Sequence, residues 1–127
     1  MTTIPRILVV EDEAIIARDI AVQLGELGYE ALGPVNSGER AIELATQEQP
    51  DLVLMDIHLA TAMDGITAAQ QIRGLCSARI VFLSAFTGHG GLDRAKETRP
   101  AGYLAKPFDE FELRDMLRSV LTGEPGT

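Results

Sequence analysis

The chain alternates: five apolar runs of strand length are each followed by a longer stretch of helical period. Arg6-Ile-Leu-Val-Val10 is nearly continuous in apolar residues, the pattern of a strand covered on both faces. From Glu13 to Leu27 the period changes. Ile16, Ile20, Leu24 and Leu27 share one face with Ala17 and Ala21 beside it, and Gly28 stands where a helix C-terminal cap belongs. Tyr29–Val35 reads as a second strand, and Ser37 caps a helix running to about Gln47. Asp51–Met55 is a third strand, followed by a helix from the N-cap Asp64 to about Leu75. Arg79–Leu83 is a fourth strand. Gly88, Gly90 and Gly91 weaken the stretch after it, so only a short helix near Leu92–Thr98 is expected. Gly102–Ala105 is a fifth strand, and Asp109 caps a last helix to about Leu121 with Leu113, Leu117, Val120 and Leu121 inward. Strict alternation of this kind implies a parallel sheet with right-handed crossovers and helices on both faces.

Composition narrows the class. At 127 residues, 46% hydrophobic and 24% charged, the chain suits one globular domain with a core over about residues 5–121 and a short tail at 122–127. A net charge of −8, from 11 Lys and Arg against 19 Asp and Glu, argues against direct nucleic-acid binding, which needs clustered cations. No apolar run approaches the ~20 residues of a membrane span. The opening MTTIPRILVV has no charged leader of the secretory kind. A single cysteine, Cys76, cannot form an internal disulfide, which fits a reducing cytoplasm; it reads as a small apolar residue near a helix end.

In a parallel sheet the function sits at the carboxyl ends of the strands. Those ends carry Glu11-Asp12, Asp56, Ser84-Ala85 and Lys106-Pro107. Three carboxylates gathered together repel one another unless a cation intervenes. Carboxylate oxygens without a Cys or His cluster suit Mg²⁺ or Mn²⁺, and such a site usually takes phosphate oxygens as well. Lys106 and Ser84 supply a point charge and a hydroxyl for those oxygens. A carboxylate can itself be the nucleophile and become an aspartyl phosphate. Singly, each residue has a plainer explanation: Asp12 as the next helix's N-cap, Asp56 in a turn, Ser84 as a loop hydroxyl, Lys106 as a solvated charge. Their joint placement at four strand ends favours phosphoryl chemistry.

The motifs Val9-Val-Glu-Asp-Glu13, Pro50-Asp-Leu-Val-Leu-Met-Asp56, Met63-Asp-Gly65, Phe82-Leu-Ser-Ala85 and Gly102-Tyr-Leu-Ala-Lys-Pro-Phe108 occur in order over nearly the whole chain. Together they resemble the receiver domain of two-component response regulators. The resemblance implies a flavodoxin-like doubly wound (βα)5 fold with strand order 2-1-3-4-5. It implies Asp56 as phosphoacceptor, and Mg²⁺ (or Mn²⁺) held by Asp12, Asp56 and the main-chain carbonyl of His58, with Glu11 holding a metal-bound water or orienting the site. Ser84 would bond a phosphoryl oxygen on activation, Lys106 would pair with Asp56 and then with the phosphoryl group, and the Lys106–Pro107 bond would be cis. Tyr103 stands at the family's aromatic switch position; a half-buried strand aromatic is the competing reading. Implied partners are a sensor histidine kinase or phosphotransfer protein and an unidentified downstream protein or output domain; homodimerisation is left open.

Two features depart from the family pattern. Leu59-Ala-Thr-Ala62 replaces a loop that often carries a proline and is one residue longer here, and Thr87-Gly-His-Gly-Gly91 is unusually rich in glycine where a signalling face begins. Phe86, two residues after Ser84, is expected to shield an acyl phosphate from water. The imidazole of His58 is expected to be hydrogen-bonded or solvated and not a metal ligand, and that of His89 to face water. Two other functions compete. One is a Mg²⁺-dependent phosphohydrolase with an Asp nucleophile, such as a haloacid-dehalogenase-like enzyme; those enzymes carry a second Asp two residues on, where this chain has His58. A constitutive interaction module would not need Asp12, Asp56, Ser84 and Lys106 together. Gly88–Gly91 does not match a dinucleotide-binding G-x-G-x-x-G.

Overall fold

A computed structural model describes residues 3–59, 62–85 and 92–123. Its ten elements alternate strictly. They are β1 (Arg6–Val10), α1 (Ala14–Glu26), β2 (Glu30–Val35), α2 (Gly38–Glu48), β3 (Leu52–Asp56), α3 (Gly65–Arg73), β4 (Arg79–Ala85), α4 (Leu92–Glu97), β5 (Gly102–Lys106) and α5 (Glu110–Thr122). The five strands form one parallel sheet in the order β2-β1-β3-β4-β5. Ala60-Thr61, Phe86 and the Gly-rich 87–91 with His89 lie outside the described residues, so the expectations for the lengthened loop, the shield and the weakened helix start rest there.

Period-two alternation sorts each strand between two layers. Leu8, Val10, Val53, Met55, Ile80 and Phe82 face α2, α3 and α4, where Ala41, Ala45, Ile66, Ala69, Ile72 and Ala95 are buried against them. Ile7, Val9, Leu52, Leu54, Val81, Leu83 and Leu104 face α1 and α5, against Ile20, Leu24, Leu113 and Leu117. Cys76 is half-buried at the end of the α3 connection, packed on the first of these layers.

Local chemistry sets the element ends. Ser37 Oγ accepts from Arg40 N at 3.2 Å, and Asp64 Oδ1 accepts from Thr67 N at 2.7 Å. Asp109 forms a full capping box with Glu112, at 2.8 and 3.2 Å. Helix α1 closes with Tyr29 N on Leu24 O and Gly28 N on Gly25 O, a Schellman motif completed by the left-handed Gly28 (φ 94°). Strand β2 holds Gly33-Pro34, whose peptide bond is cis, and its register with β1 shifts between Leu8 and Val10. A proline is tolerated there because β2 is an edge strand, with one side of its ladder unpaired. No described helix is long and apolar enough to cross a membrane.

Candidate acidic site at the strand ends

The strands extend further than their apolar runs. β3 keeps its ladder through Asp56, which pairs with Leu83, and β4 and β5 end at Ala85 and Lys106, paired with each other. The side chains of Asp56, Ser84 and Lys106 therefore leave the ladder itself, and Glu11 follows directly on Val10, the last residue of β1. Glu11, Asp56 and Lys106 each stand two residues beyond a core residue of the α1/α5 layer, namely Val9, Leu54 and Leu104. Alternation aims all three to the same side of the sheet.

They meet there. Lys106 Nζ lies 2.7 Å from Glu11 Oε1 and 3.3 Å from Asp56 Oδ2. Glu11 is only 1% exposed and Asp56 3%, and the Lys106 side chain 13%. Glu11 Oε2 also accepts from Glu13 N at 3.2 Å, and Asp56 Oδ1 from His58 N at 3.0 Å. Asp12 completes the group: Glu11, Asp12 and Asp56 each offer a carboxylate oxygen, all within 4.8 Å of one another. Asp12 is not the cap of α1. That position belongs to Glu13, whose side chain makes no capping bond.

One ammonium does not balance this much buried carboxylate. Burial pushes the Asp56 carboxyl up, and the neighbouring Glu11 carboxylate pushes it further, to about 7 despite the opposing Lys106 and His58 N–H. Burial also acts to raise Glu11, but its interactions with Asp56 and Lys106 outweigh that and hold it below the ordinary glutamate range. Lys106 is raised on balance: burial would lower it, and the two carboxylates more than compensate. A proton on Asp56 would offset part of this negative charge near neutrality where no cation does so. A hard divalent cation fits the donor set better. The oxygens are carboxylate, and no thiol or imidazole joins them among the described residues.

Backbone packing fixes the acceptor end. Gly65 N donates to Ile57 O at 3.1 Å, and a Cβ on Gly65 would stand 1.9 Å from the Asp56 carbonyl oxygen. The start of α3 can press this close to the end of β3 only with glycine at that position.

The other expected residues lie around this cluster. His58 follows Asp56 with its residue exposed. Ser84 is half-buried on β4, one residue beyond Leu83, the partner of Asp56. It follows Phe82 of the opposite layer, and no hydrogen bond from its hydroxyl to the carboxylates appears among the described residues. Tyr103 is half-buried with its ring stacked on Phe82, centroids 6.4 Å apart. The Lys106–Pro107 bond is cis. Beside Lys106 a groove of about 510 Å³ runs between α1 and the start of α5, lined by Ile15, Ile16, Ile20, Pro107 and Phe108. Sequence reading did not single out this groove. Its signal was Ile15, an apolar residue off the core face of α1 and 86% exposed.

Comparison with known proteins converges on one family. The response regulator receiver domain matches residues 7–118. The transcriptional regulatory protein PdtaR of Mycobacterium tuberculosis is 43% identical over 108 residues, covering 85% of this chain and 52% of that protein. This chain thus spans about half the length of that relative. Among solved structures, the signal receiver domain of a modulated diguanylate cyclase from Desulfovibrio desulfuricans superposes with a TM-score of 0.88 at 34% identity, covering 96% of this chain and 97% of that one. The receiver domain of the sensor histidine kinase PA1611 from Pseudomonas aeruginosa, which has a magnesium ion coordinated in its active-site cleft, gives 0.81 at 31% identity over 93% of this chain and 98% of that one. With the five-stranded order, the acidic group at the strand ends and these likenesses together, the chain belongs to the receiver domain family of two-component response regulators.

Proposed function

We propose that residues 5–121 form one receiver unit that acts in the cytoplasm as a phosphorylation-driven switch, with Asp56 as the phosphoacceptor. The observation that carries this reading is the burial of Asp56 within reach of Lys106, Glu11 and Asp12. Asp12, Asp56 and the His58 main-chain carbonyl would hold Mg²⁺, with Glu11 behind them. The ion would neutralise the carboxylates and the phosphoryl oxygens. Ionised Asp56 attacks phosphorus, a P–O bond forms, and the P–N bond to the donor imidazole breaks with its electron pair returning to the ring. Lys106 then exchanges its contact with the carboxylate for one with the phosphoryl group. Ser84, one residue past the ladder partner of Asp56, turns its hydroxyl to another phosphoryl oxygen. Tyr103, on the next strand, repacks against Phe82 in the same transition. The switch biases a protein-binding face by stabilising one of two arrangements.

The donor is a sensor histidine kinase or a phosphotransfer protein, and the apolar groove beside Lys106 suits the flank of a docking helix. The reader of the switch is a downstream protein or output domain. The unit performs its own phosphorylation and dephosphorylation and turns over no external substrate.

The test is the intact mass after phosphoramidate treatment with Mg²⁺. Addition of one phosphoryl group (about 80 Da) is expected for the wild type only, and none for Asp56→Asn or with EDTA. An adduct that persists in Asp56→Asn would assign the acceptor elsewhere.

A further inference from the structure

At the far pole of the sheet from the acidic site, a cleft of about 430 Å³ opens between the α3–β4 and α4–β5 connections. It is lined by Arg73, Arg79 and Arg99 with Cys76, Ser77 and Pro100 among the remaining wall residues. The chain carries 19 Asp and Glu, yet among the described residues none lines this cleft. The arginines that pair with carboxylates lie elsewhere: Arg6 with Glu30 and Glu48, Arg40 with Glu43, Arg94 with Asp64. Here the bonds run to neutral groups. Arg73 Nη1 donates to the Thr98 carbonyl, which fixes that guanidinium at the α4–β5 wall, and Arg79 Nη1 donates to the Val120 carbonyl. Neither bond cancels a charge, and each uses one donor of a five-donor fork. Arg99 is exposed and completes the rim.

Concave positive charge focuses its field, and in a protein of net charge −8 it is a local reversal of sign. Guanidinium groups match phosphate oxygens in a planar, bidentate way. The volume lies in the range of small-ligand sites, roughly 300–1,000 Å³. We propose that this cleft binds a small phosphate-bearing anion, either a free phosphate or oligophosphate or the phosphate tail of a nucleotide. Such a ligand bridges α3 to the connection that follows α4, so its binding holds those two elements together. The proposal is independent of the chemistry assigned to Asp56.

The experiment is titration of the ¹⁵N-labelled chain without Mg²⁺, followed by NMR. Inorganic phosphate, pyrophosphate and ATP are the probes, with chloride at matched ionic strength as control. Saturable shifts are expected at the amides of Ser77, Arg79, Arg99 and Ala101 and not at Glu11 or Asp56. Arg99→Gln, at an exposed residue, should weaken pyrophosphate about tenfold, and Arg73→Gln should do the same, with Arg73→Lys recovering only a small part of the loss because an ammonium keeps the charge without the bidentate fork. Each variant should still take a phosphoryl group from phosphoramidate. Equal affinity for pyrophosphate and ATP assigns the site to the phosphate group alone; tighter ATP assigns it to nucleotides. Shifts that do not saturate, that chloride reproduces, or that survive Arg99→Gln and Arg73→Gln overturn the proposal.

Discussion

Acidification should stabilise the metal-free protein through the buried carboxyl group of Asp56. Three titrations bear on the sign. Asp56 is raised to about 7 from 3.8, so its contribution is present below the unfolded value and lost as pH rises through about 7. Glu11 is lowered from 4.5, so its contribution is lost only as pH falls through its folded value, below the neutral range. Lys106 is raised from 10.5 and loses its contribution only above that. Between about pH 8 and about pH 6, Asp56 alone changes state among these three. The unfolded chain is fully ionised at that residue across the window, while the folded one goes from about a tenth protonated to about nine tenths. The linkage gives a gain on the order of 1 kcal/mol on acidification. For a chain of this size that is a few °C in the unfolding midpoint. The assay is thermal unfolding by circular dichroism in EDTA at both pH values, for the wild type and Asp56→Asn. The variant should be more stable than the wild type near pH 8, should lose this part of the pH dependence, and should close the gap near pH 6. In the wild type millimolar Mg²⁺ should raise the midpoint more at the higher pH, where the carboxylates are free to take it. A wild-type midpoint that is flat or falls on acidification, or an identical slope in Asp56→Asn, would refute the argument that a proton on Asp56 relieves this cluster.

Three further outcomes are expected. Gly65→Ala places a Cβ 1.9 Å from a backbone oxygen and should destabilise by about 1–3 kcal/mol while slowing phosphoramidate labelling, read by denaturant melts and intact mass. Lys106→Met removes the cation shared by two buried carboxylates and should cost about 3 kcal/mol in EDTA near pH 8, with part of the loss recovered by Mg²⁺ in the same melt. Asp109→Ala breaks the α5 capping box and should cost about 1 kcal/mol in urea unfolding without altering Mg²⁺ affinity.

Most of the fold was legible because hydrophobic period, cap residues and strand length agree along the chain. Ser37, Asp64 and Asp109 cap the helices expected of them, since a short polar side chain before an apolar-periodic run has little else to do. Strand ends were read one or two residues short at β3, β4 and β5. Asp56, Ser84 and Lys106 look like loop residues by polarity, yet the ladder carries them. The β2 irregularity at Gly33-Pro34 was not foreseen, because register is a property of two strands and the period of one strand does not contain it. Of the site, the grouping of Glu11, Asp12, Asp56 and Lys106 followed from topology. The depth of Glu11, and its hold on Lys106 at 2.7 Å against 3.3 Å for Asp56, did not, since burial depends on what the helices cover. Gly65 was visible only as part of a motif; its reason is a distance to a backbone oxygen.

The placement of Glu11, Asp56 and Lys106 two residues beyond Val9, Leu54 and Leu104 makes the chemistry a matter of counting. Each functional group inherits its direction from the parity of a buried strand. One residue inserted between Val9 and Glu11, or between Leu54 and Asp56, would turn that carboxylate to the opposite layer, however faithfully every side chain were kept. The loops that follow carry no such parity and absorb added length. Members of a lineage built this way are free to vary in the lengths of the connections between elements and are held to an integer inside β1, β3 and β5. Deletion and insertion scanning should therefore trace the outline of the site more sharply than substitution does.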